Sequence, residues 1–121
     1  MSKERTILDY LEDISSAILD IRSFVHDLSA EAFMADKKTA NAVVRSLEVI
    51  GEATGKIPTE IRRKYVDVPW DEIIGMRNRL IHEYFGVDLD IVWQTIQDDL
   101  GPLESAINTI LKDLSCLTPS C

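Results

Sequence analysis

Apolar residues recur along this chain in steps of three and four, the signature of helices that bury one face. Ile7, Leu11, Ile14, Ile18, Ile21, Val25 and Leu28 keep a heptad seam for three repeats and predict a first helix from about Lys3 to Leu28. His26 falls off that seam and reads as surface. Ser29 to Ala35 reads as a connection, and Asp36 as the N-cap of a second helix over about Lys37 to Lys56, with Ala40, Val43, Leu47, Ile50, Thr54 and Ile57 inward. Pro58 opens a short helix to about Tyr65, and Val66 to Pro69 turn the chain into a further helix from Trp70 to Phe85, stopped by Gly86. Asp88 then caps a last helix, about Leu89 to Leu114, seamed by Leu89, Trp93, Ile96, Leu100, Leu103, Ile107, Ile110 and Leu114. Gly101-Pro102 should bend it, since Pro102 removes a backbone bond to Asp98, but the seam keeps its phase, which predicts one bent helix. Strand alternation, repeats and low-complexity runs are absent from the sequence. The expected fold is all-α: an antiparallel four-helix bundle with one additional short helix, in a single domain over residues 1–114 with a tail at 115–121.

The Trp70–Phe85 helix is the one that does not fit a purely structural pattern. At about 100° per residue, Trp70, Ile73, Ile74, Leu80, Ile81 and Tyr84 share an apolar arc, and Arg77 lies near its middle. Asn78 and His82 lie at the edge of the arc, while Glu72, Arg79 and Glu83 form a solvated face. A buried unpaired guanidinium is costly, so Arg77 calls for a carboxylate from a neighbouring helix or an anionic ligand. Glu52, beside the small-residue strip Gly51 and Ala53, is the candidate carboxylate; the plain alternative is an exposed glutamate.

Composition narrows the function. With 45% hydrophobic and 28% charged residues, the chain has the balance of a soluble domain, and its N-terminus lacks the apolar core of a secretory leader. No apolar run approaches a membrane span, so a cytoplasmic protein is expected. Cys116 and Cys121 fall in the last six residues, which excludes a disulfide framework, and two histidines without further cysteines give no zinc site. No metal or other cofactor is expected. The net charge of −8 argues against a general nucleic-acid coat protein. The charge is uneven, however: residues 1–35 carry three basic and seven acidic side chains, residues 36–85 nine and eight, and residues 86–121 one and six. Arg62-Arg63-Lys64 with Arg77 and Arg79 make either a small positive patch or a solvated face. A small patch suits a ligand with few phosphate contacts.

The run Arg77-Asn78-Arg79-Leu80-Ile81-His82-Glu83-Tyr84 resembles the Arg-x-x-x-x-His-x-Tyr motif of HepT-type toxins in the HEPN superfamily. Its surroundings match as well: Ile50-Gly51-Glu52-Ala53 before it, Val68-Pro69-Trp70 leading in, Tyr84-Phe85-Gly86-Val87-Asp88 and Val92-Trp93 after it. The likeness covers roughly Thr6 to Leu114. It implies an all-helical HEPN-like fold and a metal-independent endoribonuclease that acts as a homodimer, with motifs from two subunits lining one cleft. It also implies a partner antitoxin, a minimal nucleotidyltransferase that attaches AMP to the tyrosine matching Tyr84.

The residue chemistry suits that expectation. RNA cleaves itself once its 2′-hydroxyl is deprotonated and aimed at the adjacent phosphate. His82 can exchange that proton near neutral pH. Arg77 can hold the phosphate with two parallel hydrogen bonds, and Asn78 can donate to a phosphate or ribose oxygen. Arg79 and Glu52 would support the site. Two other readings stand beside this one: a non-catalytic helical partner or regulatory subunit of a nucleotidyltransferase, and a dimerisation bundle in which the motif is incidental.

Overall fold

The computed structural model describes residues 6–75 and 89–115. Every regular element among them is an α-helix: α1 (Ile7–Phe24), α2 (Ala30–Ala35), α3 (Lys37–Gly55), α4 (Thr59–Lys64), α5 over residues 70–75, α6 (Leu89–Asp98) and α7 (Leu100–Ser115). The all-α class expected from the seams is the class observed.

α1 starts at Ile7, the first residue of its seam and four residues after the expected Lys3. Thr6 accepts from the Asp9 N–H while the Asp9 carboxylate accepts from the Thr6 N–H, a capping box that fixes the first turn. It stops at Phe24, before Leu28, because Asp27 takes φ 61°, a left-handed conformation that an aspartate tolerates. The seam nevertheless packs as read: Leu11, Ile14, Ile18 and Ile21 are fully buried.

The expected connection over Ser29 to Ala35 is in fact helix α2, with Ser29 accepting from the Ala32 N–H at 3.1 Å. Six residues are too few turns for a period to show in sequence. Its purpose is packing. Phe33 is fully buried, with its ring centroid 5.2 Å from that of Trp93 on α6.

α3 begins where Asp36 was expected to cap it. The carboxylate accepts from both the N–H and the hydroxyl of Thr39, and these bonds hold its pKa below the ordinary carboxylate value. All six seam residues from Ala40 to Ile57 are buried, and the Thr54 hydroxyl satisfies itself on the Ile50 carbonyl. α1 and α3 run antiparallel: Tyr10 and Asp13 near the start of α1 share a cavity with Glu52 and Lys56 at the end of α3. Arg22 late in α1 pairs with Glu104 early in α7 at 2.9 Å, so α7 returns along α1.

The expectation of one bent last helix is corrected. α6 and α7 are separate, parted by the single residue Asp99. The ladder almost survives, since the Asp99 N–H reaches the Thr95 carbonyl at 2.9 Å and the Leu103 N–H reaches the Asp99 carbonyl at 3.1 Å. The ring of Pro102 is incompatible with a regular carbonyl at Asp98, so the break falls one residue beyond it. The seam runs on through the break, burying Ile96, Leu100, Leu103, Ile107 and Ile110.

Among the described residues no helix is long and apolar enough to cross a membrane.

Candidate functional site

The candidate helix is held by its first turn. α5 begins at Trp70, and the Pro69 carbonyl accepts from the Ile73 N–H at 3.1 Å. Val68, Trp70 and Ile73 are buried in the main core. The indole N–H of Trp70 is shared between the carbonyls of Arg62 and Tyr65, each at 3.0 Å. These carbonyls close the C-terminal end of α4, where they also accept from the backbone N–H groups of Tyr65 and Val68, each at 3.2 Å. The tryptophan adds a second donor to each and fixes α5 against the end of α4. A methyl built on Gly55 would lie 4.0 Å from Ile74 Cγ2, so the end of α3 also abuts this turn.

Tyr65 adds a second tether, because its hydroxyl donates to the carboxylate of Asp113 on α7. That bond raises the phenol's pKa above its ordinary value, with desolvation and the charge of Asp113 acting in the same direction. On the other side of α5, Asp99 is raised as well: burial disfavours its charge first, and Glu72 of α5 and Asp98 add repulsion. Asp99 lines a small cavity with Leu47, Ile50, Ile73 and Thr95.

Arg77, Asn78, Arg79, His82 and Tyr84 lie outside the described residues, as do the expected helix end at Phe85-Gly86, the Asp88 cap and both cysteines. Glu52 is described. It is exposed on α3 between buried Gly51 and Ala53, and it lines a cavity of about 250 Å³ with Tyr10, Asp13 and Lys56. His26 is on the surface as expected, 79% exposed beside Asp27.

The basic run on α4 divides in two. Arg62 is committed to the fold: its Nε donates to the Ile57 carbonyl at 3.1 Å and its Nη2 to the Thr59 hydroxyl at 3.4 Å. Arg63 and Lys64 are exposed. Between α4 and the first turn of α5 runs an open groove of about 660 Å³, lined by Arg62, Arg63, Val66, Trp70, Asp71 and Glu72 among others. The sequence reading found the basic run but not this groove. The signal that could have pointed to it is Val66, an apolar residue in a turn between polar neighbours, which is 77% exposed. Among the described residues no group of three or more metal-ligating side chains is assembled.

Residues 14–110 match the ribonuclease HepT-like family. A probable ribonuclease HepT of Thermococcus cleftensis is 43% identical over 109 residues, 90% of this chain and 99% of its own length. A candidate RNase of Methanocaldococcus jannaschii is 45% identical over 111 residues, covering 92% and 96% of the two chains. Another, from Caldanaerobacter subterraneus, is 44% identical over 108 residues, covering 89% and 96%. No solved structure matches the chain. The chain therefore belongs to the HepT-like ribonuclease family, and endoribonuclease is the enzyme class that this membership assigns to it.

Proposed function

We propose that this ribonuclease cuts RNA without a metal ion, by turning the RNA's own 2′-hydroxyl on the neighbouring phosphate, and that it is the toxin of a two-component module. The observation that carries this reading is the Arg77-x-x-x-x-His82-x-Tyr84 run, which follows directly on a helix whose first turn is clamped into the core by Trp70. A rigid origin is what a catalytic constellation needs, since misplacement by about an ångström costs orders of magnitude in rate.

In the proposed reaction His82 takes the 2′-hydroxyl proton and the 2′-oxygen bonds to phosphorus. Arg77 holds the developing charge and Asn78 orients the phosphate or ribose. The bond from phosphorus to the 5′-oxygen breaks, leaving a 2′,3′-cyclic phosphate, and that oxygen needs a proton. One copy supplies one such histidine, so a homodimer in which a second copy's His82 gives the proton completes the balance. Arg79 and Glu52 support the constellation. The antitoxin is a minimal nucleotidyltransferase that places AMP on Tyr84, adding phosphate charge beside Arg77 and closing the site to RNA. The compartment is the cytoplasm, where RNA and such a partner meet. The whole unit is one domain over residues 1–114 with a short tail.

The deciding experiment measures RNA cleavage with a chelator present, comparing wild type with His82→Ala after intact mass has shown Tyr84 to be unmodified. Cleavage by wild type and loss of at least about 100-fold in the variant are expected for a proton-transfer residue. Equal cleavage by both proteins would remove His82 from the mechanism. One observation favours a second reading, a non-catalytic partner of a nucleotidyltransferase: the net charge of −8 disfavours an RNA ligand. No cleavage by unmodified wild type over a broad range of cellular RNAs would support that alternative.

A further inference from the structure

We propose that the groove between α4 and the first turn of α5 is a nucleotide subsite, which holds one RNA residue flanking the cleavage point and uses Arg63 to grip its phosphate. The inference rests on the ribonuclease reading above.

Four observations point the same way. The groove's volume of about 660 Å³ lies within the range of sites that enclose a small ligand. Its two walls differ in charge. Arg63 stands on the α4 side, and Asp71 and Glu72 stand on the α5 side. A nucleotide has the same division: its phosphate only accepts hydrogen bonds, whereas its ribose hydroxyl and base edges also donate them. Phosphate on Arg63 leaves sugar and base facing two carboxylates that accept, with the exposed isopropyl of Val66 as apolar surface between.

Arg63 is also uncommitted. It shares the groove with two carboxylates yet makes no ion pair or hydrogen bond among the described residues, whereas its neighbour Arg62 is tied to Ile57 and Thr59. A guanidinium spent on folding would be engaged as Arg62 is. Finally, the walls are fixed relative to each other, because the Trp70 indole holds two α4-end carbonyls against α5. Arg77 follows the described part of α5 by two positions, so the subsite adjoins the motif along the chain. The opposite signs on its walls disfavour an apolar protein segment, whose docking surfaces are depleted in charge at their centre.

The test is equilibrium binding of a fluorescein-labelled, single-stranded, random-sequence oligoribonucleotide to the full chain in a non-cleaving His82→Ala background, over a series of salt concentrations. Arg63→Ala should weaken binding about tenfold and reduce the log–log salt slope by about 0.7, the value for one phosphate contact on a single strand. Arg63→Lys should restore the slope. Glu72→Ala should weaken binding although it removes a negative charge, because it removes an acceptor for sugar or base. An unchanged slope in Arg63→Ala overturns the proposal, as does tighter binding in Glu72→Ala. Loss of binding to a purified minimal nucleotidyltransferase, with RNA binding unaltered, would make the groove a protein interface and overturn it too. The ribonuclease reading is tested separately, by whether wild type cleaves RNA at all.

Discussion

At Asp99 a half-buried carboxylate sits where the last two helices part, facing Glu72 of α5. Its pKa in the fold lies above the ordinary value of 3.8, first through desolvation and then through Glu72 and Asp98. The folded state therefore binds this proton more tightly than the unfolded chain does, and the group's contribution to stability falls as pH rises through that interval. Asp99→Asn should raise Tm at neutral pH, with the gain shrinking as pH falls toward 3.8; thermal melts at several pH values check it. Asp36 has the opposite sign. Its lowered pKa means that the cap on α3 supports the fold at neutral pH and loses that support on acidification. The Asp36 cap was legible in the sequence because a short acidic side chain stood just before a periodic run. The division of labour between Arg62 and Arg63 was not legible. Adjacent residues on a helix point about 100° apart, and only the path of the chain decides that the Ile57 carbonyl waits on one side and a groove on the other.

Among elements, α2 matters beyond its six residues. It carries Phe33, the largest fully buried side chain among the described residues, into contact with Trp93 of α6. Phe33→Ala should destabilise the protein by about 3–5 kcal/mol, read by chemical denaturation, because the lost ring leaves a cavity that closes only in part. The long helices were readable because each repeats its period over several turns, so burial of one face constrains the whole segment. α2 was missed because periodicity cannot be judged over so few positions, even with Ser29 in place as a cap. The break between α6 and α7 was half read. Pro102 marked the disturbance, but the seam's unbroken phase suggested continuity, and the structure keeps both: the apolar face runs on while the helix does not.

For the whole molecule, the acidic body and the less acidic centre give the chain a direction. Residues 36–85 are the only third with a positive balance, and they hold α4, the head of α5 and the motif. An anionic ligand meets a body of net charge −8, and this central stretch is the part of the chain whose own charge sum does not oppose it. The same logic governs control by a partner. If AMP on Tyr84 silences the site, Tyr84→Phe should keep RNA cleavage and escape neutralisation when wild-type nucleotidyltransferase and ATP are added. Persistent neutralisation accompanied by new covalent mass would move the modification elsewhere. The fold class was legible in the apolar seams along the whole chain, and the family chiefly in the stretch from Val68-Pro69-Trp70 to Val92-Trp93, with Ile50-Gly51-Glu52-Ala53 before it. The relation between that stretch and the groove beside it depends on how α4 and α5 meet, and spacing along the chain carries no information about it.

The shared hydrogen bond of Trp70 has one more consequence. The chain contains two tryptophans, and they stand in unlike settings: Trp70 is locked by its indole N–H at the wall of the groove, and Trp93 lies tilted against the buried ring of Phe33. Indole emission is sensitive to hydrogen bonding at its nitrogen and to nearby bases. With Trp93 replaced by Phe, the intrinsic fluorescence would come from a single fluorophore at the groove wall. The protein thus carries its own optical probe, and a spectrometer can follow the filling of that groove without any attached label.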